Sequence, residues 1–294
     1  MILPTLALMA ERWRRVVFAV GVSATVLGAG CVPSVRPYTV PVHEQVLAQE
    51  GLVYGSAPGV SGNPVDLELD LFEPAGSVDA DRPAVVFVHG GGFTTGSRHE
   101  IRYLAEDFAR RGYVTATIDY RLRAGSYFSF AAPSDEARSA ITDARHDAQA
   151  AVRWMRANAA AHRVDPDRIA VVGYSAGGMT ALGVAFRSDD PGSSGTPGVS
   201  SRVCTAVSLS GMAAEDGIDA SDPPVTLIHG SADDLVPTHL ARYTALAAAS
   251  VGRLARYHEY PGVGHLLIID PRAATYRDVT AESLADALTA DACS

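Results

Sequence analysis

Cysteine is scarce in this chain: three occur among 294 residues, and none shares with histidine the short spacing that a zinc site requires. No metal is therefore expected. Basic side chains are outnumbered, 24 against 33 acidic ones, for a formal charge of −9; residues 1–31 carry three arginines and one glutamate, which leaves the remainder at −11. So acidic a chain lacks the clustered Lys and Arg that nucleic acid demands, and no nucleic-acid partner is expected. There is no internal repeat, no phosphate-cradling loop and no dinucleotide fingerprint. Gly90, Gly91 and Gly92 follow an apolar run but lack the G-x-G-x-x-G spacing, so no cofactor is expected either.

What is present is a single pattern of buried-type strands alternating with helices. With 47% hydrophobic residues the chain can bury a large core, and α/β domains of about 250 residues are routine as one unit. Strands are predicted near 66–73, 84–88, 113–119, 169–173, 203–209, 225–229 and 255–260, and helices near 99–111, 135–161, 175–187, 238–251 and 277–289. A further edge strand around residues 47–60 has a weak pattern. This alternation implies an α/β fold, a mostly parallel central sheet with helices on both faces. Residues 32–294 are expected to form one catalytic domain.

The sharpest motif lies at residues 168–178, RIAVVGYSAGG, where an apolar β-branched run stops at a serine fenced by glycines. A strand turning straight into a helix around one serine forces strained backbone, which only small neighbours permit; Ser175 would then stand up into a cleft. A serine that merely caps the helix is the plainer alternative. A serine hydroxyl needs a base to take its proton and donors to receive the oxyanion that follows. Upstream, the apolar run at 84–88 ends in His89-Gly90-Gly91-Gly92-Phe93, where backbone N–H groups are left uncovered. Downstream, the strand at 225–229 empties into Ser231-Ala232-Asp233-Asp234. Either aspartate could orient an imidazole on chemistry alone. Of the nine histidines, His265 alone lies in a glycine-rich loop after this acid pair; His258 falls within a strand pattern, His229 ends a strand, and His162 and His239 sit in helical stretches.

The order Ser175, acid, His265 is that of the α/β-hydrolases. The chain resembles their esterases, of the carboxylesterase and hormone-sensitive-lipase-like kind, through HGGGF at 89–93, GYSAGG at 173–178, HGSADDLVP at 229–237 and GVGH ending at His265. The resemblance implies that Asp233 is the acid and that the backbone N–H groups of Gly91, Gly92 and Ala176 form the oxyanion hole. It places Phe93 and Tyr174 next to the substrate. It implies hydrolysis of a carboxylic ester through an acyl-enzyme, with a small-molecule, carbohydrate or polymer ester as substrate. A serine peptidase of the prolyl-oligopeptidase type and a non-catalytic binding protein on a hydrolase scaffold are the alternatives. Asp119, Arg121 and Asp147 are expected to anchor loops, and Val152 and Met155 to belong to a core stripe.

Neither 189–201 nor 211–224 is long enough for a large cap, whereas the aromatics of 124–130 would make a small flap or pack internally. At the N-terminus, Arg12, Arg14 and Arg15 precede the short apolar run 16–30, suited to a signal peptide or a lipoprotein-type leader ending at Cys31. Export, with possible attachment to a membrane through the N-terminus, is the expectation. Removing Cys31 leaves Cys204 and Cys293 as an even pair fit for a disulfide.

Overall fold

The computed structural model describes residues 36–124, 133–288 and 293. The leader, Cys31 and most of the expected flap at 124–130 lie outside them. Eight strands form one sheet: β1 (Val46–Pro58), β2 (Pro64–Pro74), β3 (Arg82–Val88), β4 (Val114–Ile118), β5 (Val164–Tyr174), β6 (Thr205–Leu209), β7 (Val225–Gly230) and β8 (Ala255–Tyr260). Their spatial order is β1-β2-β4-β3-β5-β6-β7-β8. The β1–β2 and β2–β4 pairs are antiparallel, and every later pair is parallel.

Among the described residues, five helices cover the sheet: α1 (Arg102–Arg110), α2 (Asp135–Ala157), α3 (Ala176–Phe186), α4 (Thr238–Ser250) and α5 (Ala273–Ala287). The two faces can be read from the alternation of side chains along the central strands. Ala84, Val86 and Val88 of β3 and Ile169 and Val171 of β5 join a core with α2 and α3. Val85, Phe87, Ala170 and Val172 join the opposite core with α1 and α5. Where the strands are so covered every residue is buried, which is why 84–88 and 169–173 read as unbroken apolar runs.

Differences from the expected elements cluster where burial is one-sided. β1 is thirteen residues long and pairs with β2 over most of its length, yet most of its side chains are exposed, and its pairing shifts register between Gln49 and Leu52 and again between Val53 and Gly55. An exposed, bulged edge strand has no apolar period to detect. The helix expected at 99–111 opens as a 3₁₀ turn, Arg98–Ile101; that at 135–161 stops at Ala157; that at 277–289 begins at Ala273. Among the described residues, 187–204 and 210–224 are loops without helix or strand, so no large cap covers the strand ends. Every basic Lys/Arg position is an arginine. Several of these arginines make two-pronged contacts, as Arg121 does with Asp147 at 2.8 and 2.9 Å.

Cys204, just before β6, is bonded to Cys293, 89 residues away, with Cα atoms 5.1 Å apart. The link ties the end of the chain to the central sheet.

Candidate active site

β5 sits at the middle of the sheet, and its last residue, Tyr174, leads directly into Ser175 and α3. Ser175 has φ 55° and ψ −120°, a conformation that costs on the order of 1–3 kcal/mol in a residue with a side chain. The surroundings enforce it. Ser175 N–H donates to Leu209 O at 2.8 Å, fixing the turn to β6. A Cβ on Gly177 would stand 2.1 Å from Val88 O, so the helix can start this close to β3 only with glycine there.

The glycine loop after β3 runs beside the serine: a Cβ on Gly90 would lie 3.3 Å from Ser175 Cβ. Gly91 has φ +106°, and its carbonyl accepts from both Thr94 N–H and Thr95 N–H at 3.1 Å, folding the loop back on itself. Tyr120 donates its hydroxyl to the carbonyls of His89 and Gly90 at 3.1 and 3.2 Å, and its ring stacks on His89 at 4.3 Å. Burial holds the Tyr120 hydroxyl far above its ordinary pKa, so it remains a donor. The N–H groups of Gly91, Gly92 and Ala176 make no hydrogen bond among the described residues. The Ala176 amide is one of those that a helix N-terminus always leaves free. The free Ala176 amide thus lies beside Ser175, at the positive end of α3.

The remaining two side chains come from loops after β7 and β8. His265 Nε2 lies 2.9 Å from Ser175 Oγ, and His265 Nδ1 lies 2.8 Å from Asp233 Oδ2. The imidazole bridges serine and carboxylate. Its main chain is held as well, for its carbonyl accepts from Ser210 Oγ at 3.0 Å and from Tyr174 Oη at 3.2 Å. Asp233 Oδ1 accepts from the N–H groups of Leu235 and Val236 at 3.0 and 2.8 Å. Burial alone would raise the Asp233 pKa, but donors from His229, His265 and Val236 outweigh it and hold the carboxyl well below the usual range. Asp234, the other candidate acid, is exposed and makes no hydrogen bond among the described residues.

The two aromatics expected beside the substrate are buried beside the site. Phe93 is 2% exposed and packs edge-on against Tyr120, and Tyr174 turns its hydroxyl to the His265 carbonyl. Both are drawn inward because each ring continues the core under its loop. Asp119 accepts from Arg98 N–H at 2.7 Å, tying the end of the glycine loop, and Asp147 accepts from Arg121 N–H at 2.9 Å. His229 is the contact that sequence reasoning missed. It is buried, and its Nε2 reaches Asp233 Oδ2 at 3.1 Å. The only signal was its place at the end of β7, four residues before the acid. Among the described residues, no cluster of three or more His, Cys, Asp or Glu is arranged to hold a metal, and no helix is long and apolar enough to cross a membrane.

A central parallel sheet, a serine on a strained strand-to-helix turn, and a histidine and an acid on the loops after the last two strands define an α/β-hydrolase. Within that superfamily the chain is similar to esterases. The BD-FAE family model matches residues 69–196, which hold the glycine loop and Ser175. The native Est2 esterase of the Planctomycetes species Thermogutta terrifontis is 28% identical, with a TM-score of 0.65 over 81% of this chain and 90% of that one. The same esterase has been solved phosphoramylated by tabun. Phenmedipham hydrolase of Pseudarthrobacter oxydans is 36% identical over 121 residues, 40% of this chain and 23% of the relative. A non-reducing polyketide synthase of Stereocaulon alpinum is 34% identical over 129 residues, 43% of this chain and 5% of that protein. The chain thus spans less than a quarter of the length of these two curated relatives.

Proposed function

We propose that this protein hydrolyses carboxylic esters through an acyl-enzyme, with Ser175 as nucleophile, His265 as general base and acid, and Asp233 as the orienting carboxylate. The observation that carries the proposal is the imidazole of His265 set between Ser175 Oγ and Asp233 Oδ2 at 2.9 and 2.8 Å. Ser175 Oγ attacks the ester carbonyl carbon while its proton passes to His265 Nε2; the Nδ1 proton stays on the imidazole, facing Asp233. The carbonyl oxygen takes up the negative charge among the N–H groups of Gly91, Gly92 and Ala176, each worth on the order of 3 kcal/mol in the transition state. Collapse breaks the ester C–O bond, and the leaving alkoxide takes the proton from Nε2. Water then gives a proton to Nε2 and attacks the acyl carbon, and release of the acid returns that proton to Ser175.

Relatives and neighbours named as esterases favour ester over peptide substrates, and a neighbour solved phosphoramylated by tabun supports an activated serine. Among the described residues, the loops around the strand ends build no large cap, which suits a mouth open to esters of varied alcohol. Export of the protein is part of the proposal, supported by the Cys204–Cys293 disulfide, since such bonds persist chiefly in oxidising compartments. The test is Ser175→Ala measured on a nitrophenyl ester. The rate should fall on the order of 10⁶-fold while the circular dichroism spectrum stays unchanged. A parental rate from the variant would overturn the proposal.

A further inference from the structure

We propose that His229 is a positioning residue that sets how strongly Asp233 holds His265, a role that rests on the triad assignment above. Its imidazole is fully buried at the end of β7. Nε2 lies 2.9 Å from Val236 O and 3.1 Å from Asp233 Oδ2. A carbonyl can only accept, so Nε2 carries the hydrogen and shares it between the Val236 carbonyl and the carboxylate. Nδ1 faces no partner. Asp233 therefore receives four N–H groups: Leu235 and Val236 on Oδ1, and His229 and His265 on Oδ2. That saturates its lone pairs and locks its plane.

The consequence lies in the sharing of Oδ2. Each donor draws charge from the oxygen, so a second imidazole N–H on Oδ2 weakens the pull on the first. An oxygen serving His265 alone would stabilise the imidazolium more and make His265 slower to return its proton. The other ionisable groups around His229 are few. Glu259 of β8 stands opposite it in register, occupied by Arg242 of α4 at 2.5 and 2.7 Å and by Tyr257 Oη at 2.8 Å. Tyr174, at the end of β5, lies near Asp233 but turns its hydroxyl to the His265 carbonyl. Among the described residues, Asp233 is thus the carboxylate within hydrogen-bond reach of His229.

Three substitutions separate this role from mere filling of space. His229→Gln can place an amide N–H where Nε2 was, His229→Asn carries the amide only as far as Nδ1, and His229→Met keeps the bulk without a donor. Asn and Met should lower kcat on the order of tenfold with KM unchanged. They should also move the acid limb of the kcat/KM profile to higher pH, and Gln should restore both toward the parent. In the Ser175→Ala background, where no turnover is needed, the downfield proton resonance of His265 Nδ1–H should shift in Met and Asn and not in Gln. In the unsubstituted protein, long-range ¹⁵N–¹H correlations should place the His229 proton on Nε2. The proposal is overturned by a proton on Nδ1, by a Met variant with parental kcat and acid limb, or by equal losses in Met and Gln. If Ser175→Ala remained active, the triad assignment would fail, while the two resonance measurements would still decide whether His229 serves Asp233.

Discussion

The glycine loop and the pair of loops that carry the acid and the histidine meet at Ser175 and are built by opposite means. The glycine loop before α1 is clamped from below by a charge cluster. Arg98 reaches Asp70, Asp119 and Glu68, and Asp70 is wholly buried, with its Oδ1 also accepting from Gly51 N–H at 3.0 Å. Among the described residues, the acid and histidine loops after β7 and β8 hold no arginine shared by several carboxylates. There the fixing contacts are main-chain N–H groups, two hydroxyls and imidazoles. Donors awaiting an oxyanion must not move, so rigid ion pairs suit the first loop. A base that must accept and return a proton is better served by contacts that hold its position without fixing its charge.

Breaking the acid and histidine loops should have the larger effect on rate. Asp233→Asn removes the carboxylate that orients His265 and should lower kcat on the order of 10⁴-fold with the fold retained, as steady-state kinetics and circular dichroism would show. Breaking the glycine loop should cost stability instead. Arg98→Met leaves Asp70 buried without its cation and should destabilise by about 3–5 kcal/mol, read from urea midpoints, with a smaller loss of rate. Removing the disulfide with Cys204→Ser, remote from both loops, should cost about 2–4 kcal/mol and leave kcat at the parental value. The smallest effect is on pH dependence. The folded-state pKa of Asp233 lies below its unfolded value, so its contribution to stability is present above about pH 4 and is lost as pH falls through the folded value. Unfolding midpoints of the parent and Asp233→Asn should therefore converge as pH is lowered below about 4. A constant gap would mean that the carboxylate is not held by its donors.

The same contrast explains what was legible in the sequence. The strained turn at Ser175 and the glycine loop announce themselves, because close backbone approach admits almost no other residues there. The buried strands β3 and β5 are legible as apolar runs. β1 is not, because its side chains face solvent and its bulges break any period. Choosing between Asp233 and Asp234 needed the family resemblance, since adjacent residues in one loop offer the same chemistry and only the turn decides which carboxylate faces inward. The burial of Phe93 and Tyr174 was not legible, because an aromatic beside a cleft reads alike whether its ring points outward or into the core. His229 was overlooked because a histidine ending a buried strand carries no mark of which loop atom it will meet.

The central claim is that the Ser175 hydroxyl is activated by His265. The direct measurement is treatment of the whole protein with an organophosphonate, followed by intact mass and peptide mapping, beside a His265→Ala variant. The expected result is one adduct per chain on Ser175, forming at least 10²-fold more slowly in the variant. Labelling of Ser175 at equal rates in both, or an adduct on another residue together with intact ester turnover, would contradict it.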